Sequence, residues 1–205
     1  MPVLLAIDAP LGWPVALSPA LSEHCAGKPL AASADSLFRR ATDRFIKRQL
    51  KKTPLDVGAD RIARTAHTAL GLLERLRRSL GHPIPLAWVA PLESVVAIEV
   101  YPAATLIAHG FRSSGYKKAE QTRERREIFS SLRGLMSLPA DSRLLEENDD
   151  ALDAVVCVLG GKDFLDGRAM APEDTGLAKR EGWIWAGRPP GAPTKAAARR
   201  SSAGQ

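Results

Sequence analysis

Two apolar runs, each ending at a carboxylate, constrain the fold of this 205-residue chain more than any other feature. Val3–Ile7 (VLLAI) leads into Asp8 and is broken at once by Ala9-Pro10-Leu11-Gly12-Trp13-Pro14. Residues 92–100 (LESVVAIEV) are mostly apolar and β-branched, carry Glu99 near their end and stop at Tyr101-Pro102. A short continuous apolar run bounded by Pro and Gly is the pattern of a strand buried on both faces, as in parallel sheets. Both carboxylates then lie near the C-terminal ends of strands, the edge at which open α/β sheets place their ligands. An ionised carboxylate in such surroundings must be paired, hydrogen-bonded or metal-bound.

Helical spacing dominates the rest. Residues 36–52 carry a partial apolar stripe of Leu37, Ala41, Phe45 and Leu50. Asp60 opens a long helix to Leu80, with Ile62, Ala66, Ala69, Leu73 and Leu76 on its buried side, and Gly81-His82-Pro83 stops it. Pro102 suits the start of a helix over 103–109. Residues 117–135 predict a highly charged helix that buries Ile128, Phe129, Leu132 and Leu135. Asn148 or Asp149 caps a last helix running to Leu159, where Gly160-Gly161 is expected to end it. Residues 182–185 (GWIW) read as a short strand or packing plug, with Trp183 and Trp185 in packing roles. His67 and Cys157 read as packing residues within their helices.

The formal net charge is +6, but Arg188, Lys195, Arg199 and Arg200 lie in a final stretch without acids, and without them the body carries +2. Residues 187–205 are therefore expected to form a disordered basic tail on a single domain, 1–186. This balance permits attraction to nucleic acid without demanding it. Cys25 and Cys157 have no metal-binding spacing, the N-terminus lacks the pattern of a signal peptide, and no long apolar run occurs; the expectation is a cytoplasmic protein. No P-loop motif is present, and no G-x-G-x-x-G follows a strand, which argues against a nucleotide-binding enzyme of those types.

The third acidic feature is Asn148-Asp149-Asp150-Ala151-Leu152-Asp153. Asp153 lies four residues after Asp149 and three after Asp150, so either pair can share a helix face. Clustered carboxylates from a strand end, a second strand end and a helix start suit hard cations such as Mg2+ or Mn2+. Each acid also has a plain alternative. Asp8 can cap a turn, Glu99 can pair with a buried arginine, and Asp149 and Asp150 complement a helix macrodipole.

Several segments together are similar to the signature blocks of a family of predicted nucleases, the domain-of-unknown-function 429 family. They are Ala6-Ile7-Asp8-Ala9-Pro10-Leu11-Gly12, Arg40-Ala41-Thr42-Asp43-Arg44, Ile98-Glu99-Val100-Tyr101-Pro102-Ala103, Gly115-Tyr116-Lys117-Lys118, 150–157 (DALDAVVC) and Glu181-Gly182-Trp183-Ile184-Trp185. The resemblance implies an α/β fold with a ribonuclease-H-like mixed sheet flanked by helices. It also implies metal-dependent nuclease chemistry, with Asp8, Glu99, Asp150 and Asp153 as catalytic, metal-binding acids. The family usually has an earlier strand bearing its own acid, followed by a hairpin, where this chain starts seven residues before Asp8. The expectation is a domain lacking that first strand and hairpin, through truncation or as a shorter, degenerate member. An alternative alignment makes Asp8 itself the first-strand acid.

Arg61, Arg64, Lys117 and Lys118 are candidates for contacts to nucleic-acid phosphates, against the alternative of solvated helix faces. Arg39 and Arg44 are expected to neutralise Asp43, while Thr42-Asp43 reads equally as a site-supporting pair or a surface feature. Three functions follow for comparison: a metal-dependent nuclease, a catalytically degenerate nucleic-acid or partner-binding module, and a phosphotransferase. The missing glycine-rich phosphate loops disfavour the last.

Overall fold

A computed structural model describes every residue except Ala59 and 192–205. Both apolar runs form strands: β1 (Val3–Ile7) and β2 (Val95–Glu99) pair in parallel, with Val3 opposite Val95 and Ile7 opposite Glu99. The second strand is shorter than the expected 92–100. Among the described residues the sheet has two parallel strands, extended on the far side of β2 by isolated parallel bridges at Leu86–Ala97 and Glu99–Ile184. Trp185 N–H donates to the Glu99 carbonyl, so the 182–185 segment is both a plug and a one-bridge sheet extension.

Nine helices lie around this sheet among the described residues: α1 (Leu17–Ser22), α2 (Ala34–Phe38), α3 (Ala41–Leu50), α4 (Asp60–Leu80), α5 (Pro102–Ala108), α6 (Thr122–Arg133), α7 (Arg143–Glu147), α8 (Asp149–Leu165) and α9 (Thr175–Glu181). The pleat divides the strands' side chains between two cores. Leu5, Ile7, Val95 and Ala97 pack with Ala69 and Leu73 of α4. Leu4, Ala6, Val96, Ile98 and Val100 pack in the cluster that contains Cys157 and Phe164 of α8, Phe45 and Ile46 of α3, and Trp183 and Trp185. A third cluster joins Leu106, Tyr116, Ile128, Phe129, Leu132 and Leu152.

Three helix boundaries differ from those the periodicity predicts. The expected helix over 36–52 is two helices, because Arg40 takes an extended conformation (φ −78°, ψ 166°) as the cap of α3. Charge drawn into the interior, not loss of helix propensity, makes this break. The helix expected from residue 117 begins at Thr122, since residues 117–121 are drawn into a loop by the buried Arg125. Gly160-Gly161 does not end α8, which runs to Leu165. A Cβ on Gly160 would lie 2.6 Å from a Val100 methyl, and one on Gly161 3.4 Å from a Leu4 methyl. The glycines therefore let the helix backbone rest on the sheet, and the close approach replaces the helix-stopping role assigned from sequence.

Gly187, placed in the tail by the sequence, is buried and bridged to Ala169. Of the tail prediction, residues 192–205 lie outside the described residues. His67 is exposed rather than packed, whereas Cys157 is a buried free thiol as expected.

Candidate functional site

The strand ends, the start of α5, the 113–117 loop and the start of α8 enclose a pocket of about 600 Å3. Asp8, Glu99, Asp150 and Asp153 all line it. The four acids nevertheless fall into two environments, and the pleat separates them. Glu99 shares the parity of Val95 and Ala97, which face α4. Asp8 shares the parity of Leu4 and Ala6, which face the α8 side. Because side chains alternate along a strand, these strand-end acids leave the sheet in opposite directions.

Glu99 enters a closed ionic network. Its Oε1 accepts from Arg40 Nη2 at 2.7 Å, while Oε2 accepts from Arg40 Nη1 at 2.7 Å and from Leu11 N–H at 3.0 Å. Arg40 also donates to both Asp43 oxygens, at 2.9 and 3.1 Å. Arg40, Asp43 and Glu99 are 1%, 1% and 4% exposed, so solvent does not screen these pairs. Burial opposes the Arg40 charge, but the Glu99 and Asp43 carboxylates outweigh it and drive the guanidinium pKa above its ordinary value. Glu181 completes the network: its carboxylate accepts from Val15 N–H at 2.8 Å and Ala41 N–H at 2.6 Å, and its carbonyl from Arg40 at 3.3 Å. Gly182 (φ +84°) follows, where a Cβ would stand 3.1 Å from Glu99 Oε2. The alternative in which Glu99 pairs with a buried arginine is thus realised. Arg39 and Arg44 do not neutralise Asp43; Arg39 pairs with Asp35 and Asp56, and Arg44 with Asp35. Thr42 supports the same region, its hydroxyl accepting from Ile184 N–H at 2.8 Å.

Across the pleat, Asp153 is buried one turn into α8. Its Oδ1 accepts from the Tyr116 hydroxyl at 2.8 Å, and its Oδ2 meets the Lys117 ammonium. That ammonium also lies 3.8 Å from Asp149. Tyr116 and Lys117 are held by Arg125 of α6, which is 1% exposed. It spends its donors on the carbonyls of Tyr116, Lys118, Ala119 and Glu146 rather than on a carboxylate. Burial, and secondarily the negative charge of Asp8, push the Tyr116 hydroxyl above its ordinary pKa, so it remains a donor at neutral pH.

Asp8 differs from its neighbours. It is exposed to the pocket mouth and makes no side-chain hydrogen bond or ion pair among the described residues. Desolvation by burial within the pocket pushes its carboxyl up to about 6; Lys117 pulls the other way, and Glu99 and Asp150 add to the rise. Asp150, exposed in the first turn of α8, lines the same pocket.

The predicted basic residues do not act together. Lys117 reaches the acids. Lys118 is exposed, and its backbone N–H is held by the Gln121 side chain. Arg61 and Arg64 line an adjoining groove on α4 that shares Ala9 and Thr65 with the pocket. Arg40, Tyr116, Arg125 and Glu181 carry the site's geometry without having been singled out individually. For Arg40 the available signal is an acid three residues on, at the start of a helix. For Arg125 the sequence carries no signal, since its charged helix resembles a solvated one.

An α/β chain with a carboxylate-rich pocket at the C-terminal edge of parallel strands is therefore the class that fold and site define. The chain matches the family described as "Protein of unknown function (DUF429)" over residues 1–176, and it belongs to that family. Nothing among the curated proteins or the solved structures matches it.

Proposed function

We propose that this chain is a metal-dependent nuclease of ribonuclease-H-like descent that hydrolyses phosphodiester bonds of nucleic acid in the cytoplasm. The observation that carries the reading is the Asp8 carboxylate just after β1, without a side-chain partner among the described residues and opening onto the pocket that Asp150 and Asp153 also line. Two unpaired thiols, Cys25 exposed and Cys157 buried, accord with a reducing compartment. No helix of the described residues is long and apolar enough to cross a membrane.

The donors fit Mg2+ or Mn2+ in kind, being hard carboxylate oxygens. Asp8 and Asp150 would hold the ion, with Asp153 joining once Lys117 moves aside. Glu99 is already filled by Arg40 and Leu11, so the ligand set narrows to three of the four acids expected from sequence. Among the described residues no group of three acidic, His or Cys side chains is gathered for an ion. When bound, such an ion supplies an activated water and stabilises the leaving oxygen. The chain's own residues do the rest. Lys117, freed from Asp153, is placed to donate to a phosphate oxygen. Tyr116 holds Asp153 in orientation, and Arg125 holds Tyr116 and Lys117 in place.

The test is cleavage of labelled single- and double-stranded DNA and RNA with added Mn2+, comparing wild type with Asp8→Asn and Asp153→Asn. Metal-dependent cleavage lost in both variants is expected; no cleavage of any substrate by the wild type sinks the reading.

The ammonium seated against Asp153 favours one second reading, a catalytically degenerate module that binds nucleic acid without metal. Binding that persists unchanged in EDTA, with no cleavage under any metal, selects it.

A further inference from the structure

The longest helix presents a cationic face that the fold leaves unused. Arg61, Arg64 and Arg75 of α4 are exposed, and none pairs with an acid among the described residues. Their spacing, i, i+3 and i+14, brings them to one side of the helix. At 1.5 Å per residue they extend along roughly 21 Å of it. Thr65, Thr68 and Ala9 floor the groove they line. The acids of this helix do not cancel the charge: Glu74 is turned to Arg77 and Arg78, and Asp60 stands at the helix start.

Two connections give this face a direction. Ala9 follows Asp8 directly, and both Ala9 and Thr65 line the acidic pocket as well as the arginine groove, so the two concavities are continuous. On the other flank, Arg64 and Thr68 also line a second open groove, shared with His67 and the half-buried Trp13. Trp13 belongs to the loop that leaves β1 after Asp8.

We infer that the α4 face binds single-stranded nucleic acid and leads it to the acidic pocket. The arginines follow the sugar–phosphate backbone, and Trp13 offers a surface for base stacking. Arginines without counter-ions, set in line beside an accessible aromatic ring, match how single strands are held: a cationic groove for phosphates and a π-face that every base can use. Arg61 and Arg64 are thereby joined by Arg75 and Trp13 in one track, while Lys118 lies outside it. This names the substrate class of the hydrolase proposed above. It rests on that reading for its catalytic consequence, and not for binding.

The experiment is fluorescence anisotropy on the full chain in EDTA, with labelled oligothymidylate and oligouridylate about 12 nucleotides long, within the span of common single-strand sites. A duplex of equal length and phosphatidylglycerol vesicles are the competing probes. Wild type is expected to bind the single strands most tightly. Arg61→Ala, Arg64→Ala and Arg75→Ala combined are expected to weaken binding by about tenfold or more. They should also flatten the dependence of log K on log salt by about 2, at ~0.7 per phosphate contact. Trp13→Ala is expected to cost roughly tenfold, and Trp13→Phe, which keeps both the packing and a stacking ring, about threefold or less. Wild-type affinity and salt slope in the triple variant overturn the inference. So does duplex or vesicle binding as tight as that of the single strand, or a Trp13→Phe loss as large as that expected for alanine. The two proposals fail separately. Intact arginine-dependent binding without cleavage removes the hydrolase reading alone. Single-strand cleavage unaffected by the triple variant removes the α4 track alone.

Discussion

The two sides of the β1–β2 pleat handle carboxylates in opposite ways. On one side Glu99 and Asp43 are sealed with Arg40, every oxygen of Glu99 bonded and water excluded. On the other, Asp8 and Asp150 are exposed at a pocket mouth, and Asp153 is held by one tyrosine and one lysine that is itself half-exposed. Glu99 and Asp8 look alike in sequence, each an acid closing an apolar run. They diverge because side-chain direction reverses with every residue along a strand. The closed side is organised for stability, since a buried guanidinium between carboxylates cannot move without leaving a charge uncompensated. The open side retains carboxylates with few internal commitments, which a ligand requires.

The largest expected effect breaks the closed side. Arg40→Met leaves Glu99 and Asp43 buried without a cation and is expected to destabilise the fold by about 3–5 kcal/mol. Urea denaturation measures it, and a loss under about 1 kcal/mol removes the network from any structural role. Glu99→Gln comes next, at about 2 kcal/mol, because an amide N–H then faces donors from Arg40 or Leu11. Mn2+ affinity measured by calorimetry on this variant should match wild type. A marked drop would return Glu99 to the ligand set.

Lys117→Met tests the open side. In EDTA it should lose about 1–2 kcal/mol, since Asp153 keeps Tyr116 as its partner but loses its counter-ion. Added Mn2+ should restore this loss and raise the variant's melting temperature more than that of wild type. Equal shifts in the two proteins would show that lysine and metal do not share a position.

The smallest effect belongs to Asp8. Its carboxyl is raised from 3.8 to about 6 in the folded protein, chiefly by burial. The stability it contributes is therefore complete below 3.8 and is lost as pH rises through about 6. Asp8→Asn should raise the melting temperature at pH 7 by about 2 °C or less, with the difference vanishing in acid. A variant less stable at neutral pH would mean that Asp8 is paired.

Much of the frame was legible in the sequence. The run VLLAI became β1, five residues of the run 92–100 (VVAIE) became β2, Asp60–Leu80 became α4, and Asn148 caps α8 with its side chain on Ala151 N–H at 3.0 Å. These features rest on local periodicity and capping, which a short window contains. Gly160-Gly161 misled because a helix stop and a close helix–sheet contact use the same residue, and Val100, which decides between them, lies sixty positions away. The site was legible in composition but not in arrangement. All four acids line one pocket, yet their separation depends on strand register and on which arginine is buried.

The sequence by itself determined that two apolar strands end in acids, that a third acidic group opens a helix, and that an arginine-bearing helix lies between them. Tertiary structure alone decided that Arg40, rather than Arg39 or Arg44, takes the buried position, and that Glu99 is sealed while Asp8 stays open. Hydrophobic periodicity is written locally, whereas the partner of a charge is chosen by whichever groups the packed chain brings within a few ångströms of it.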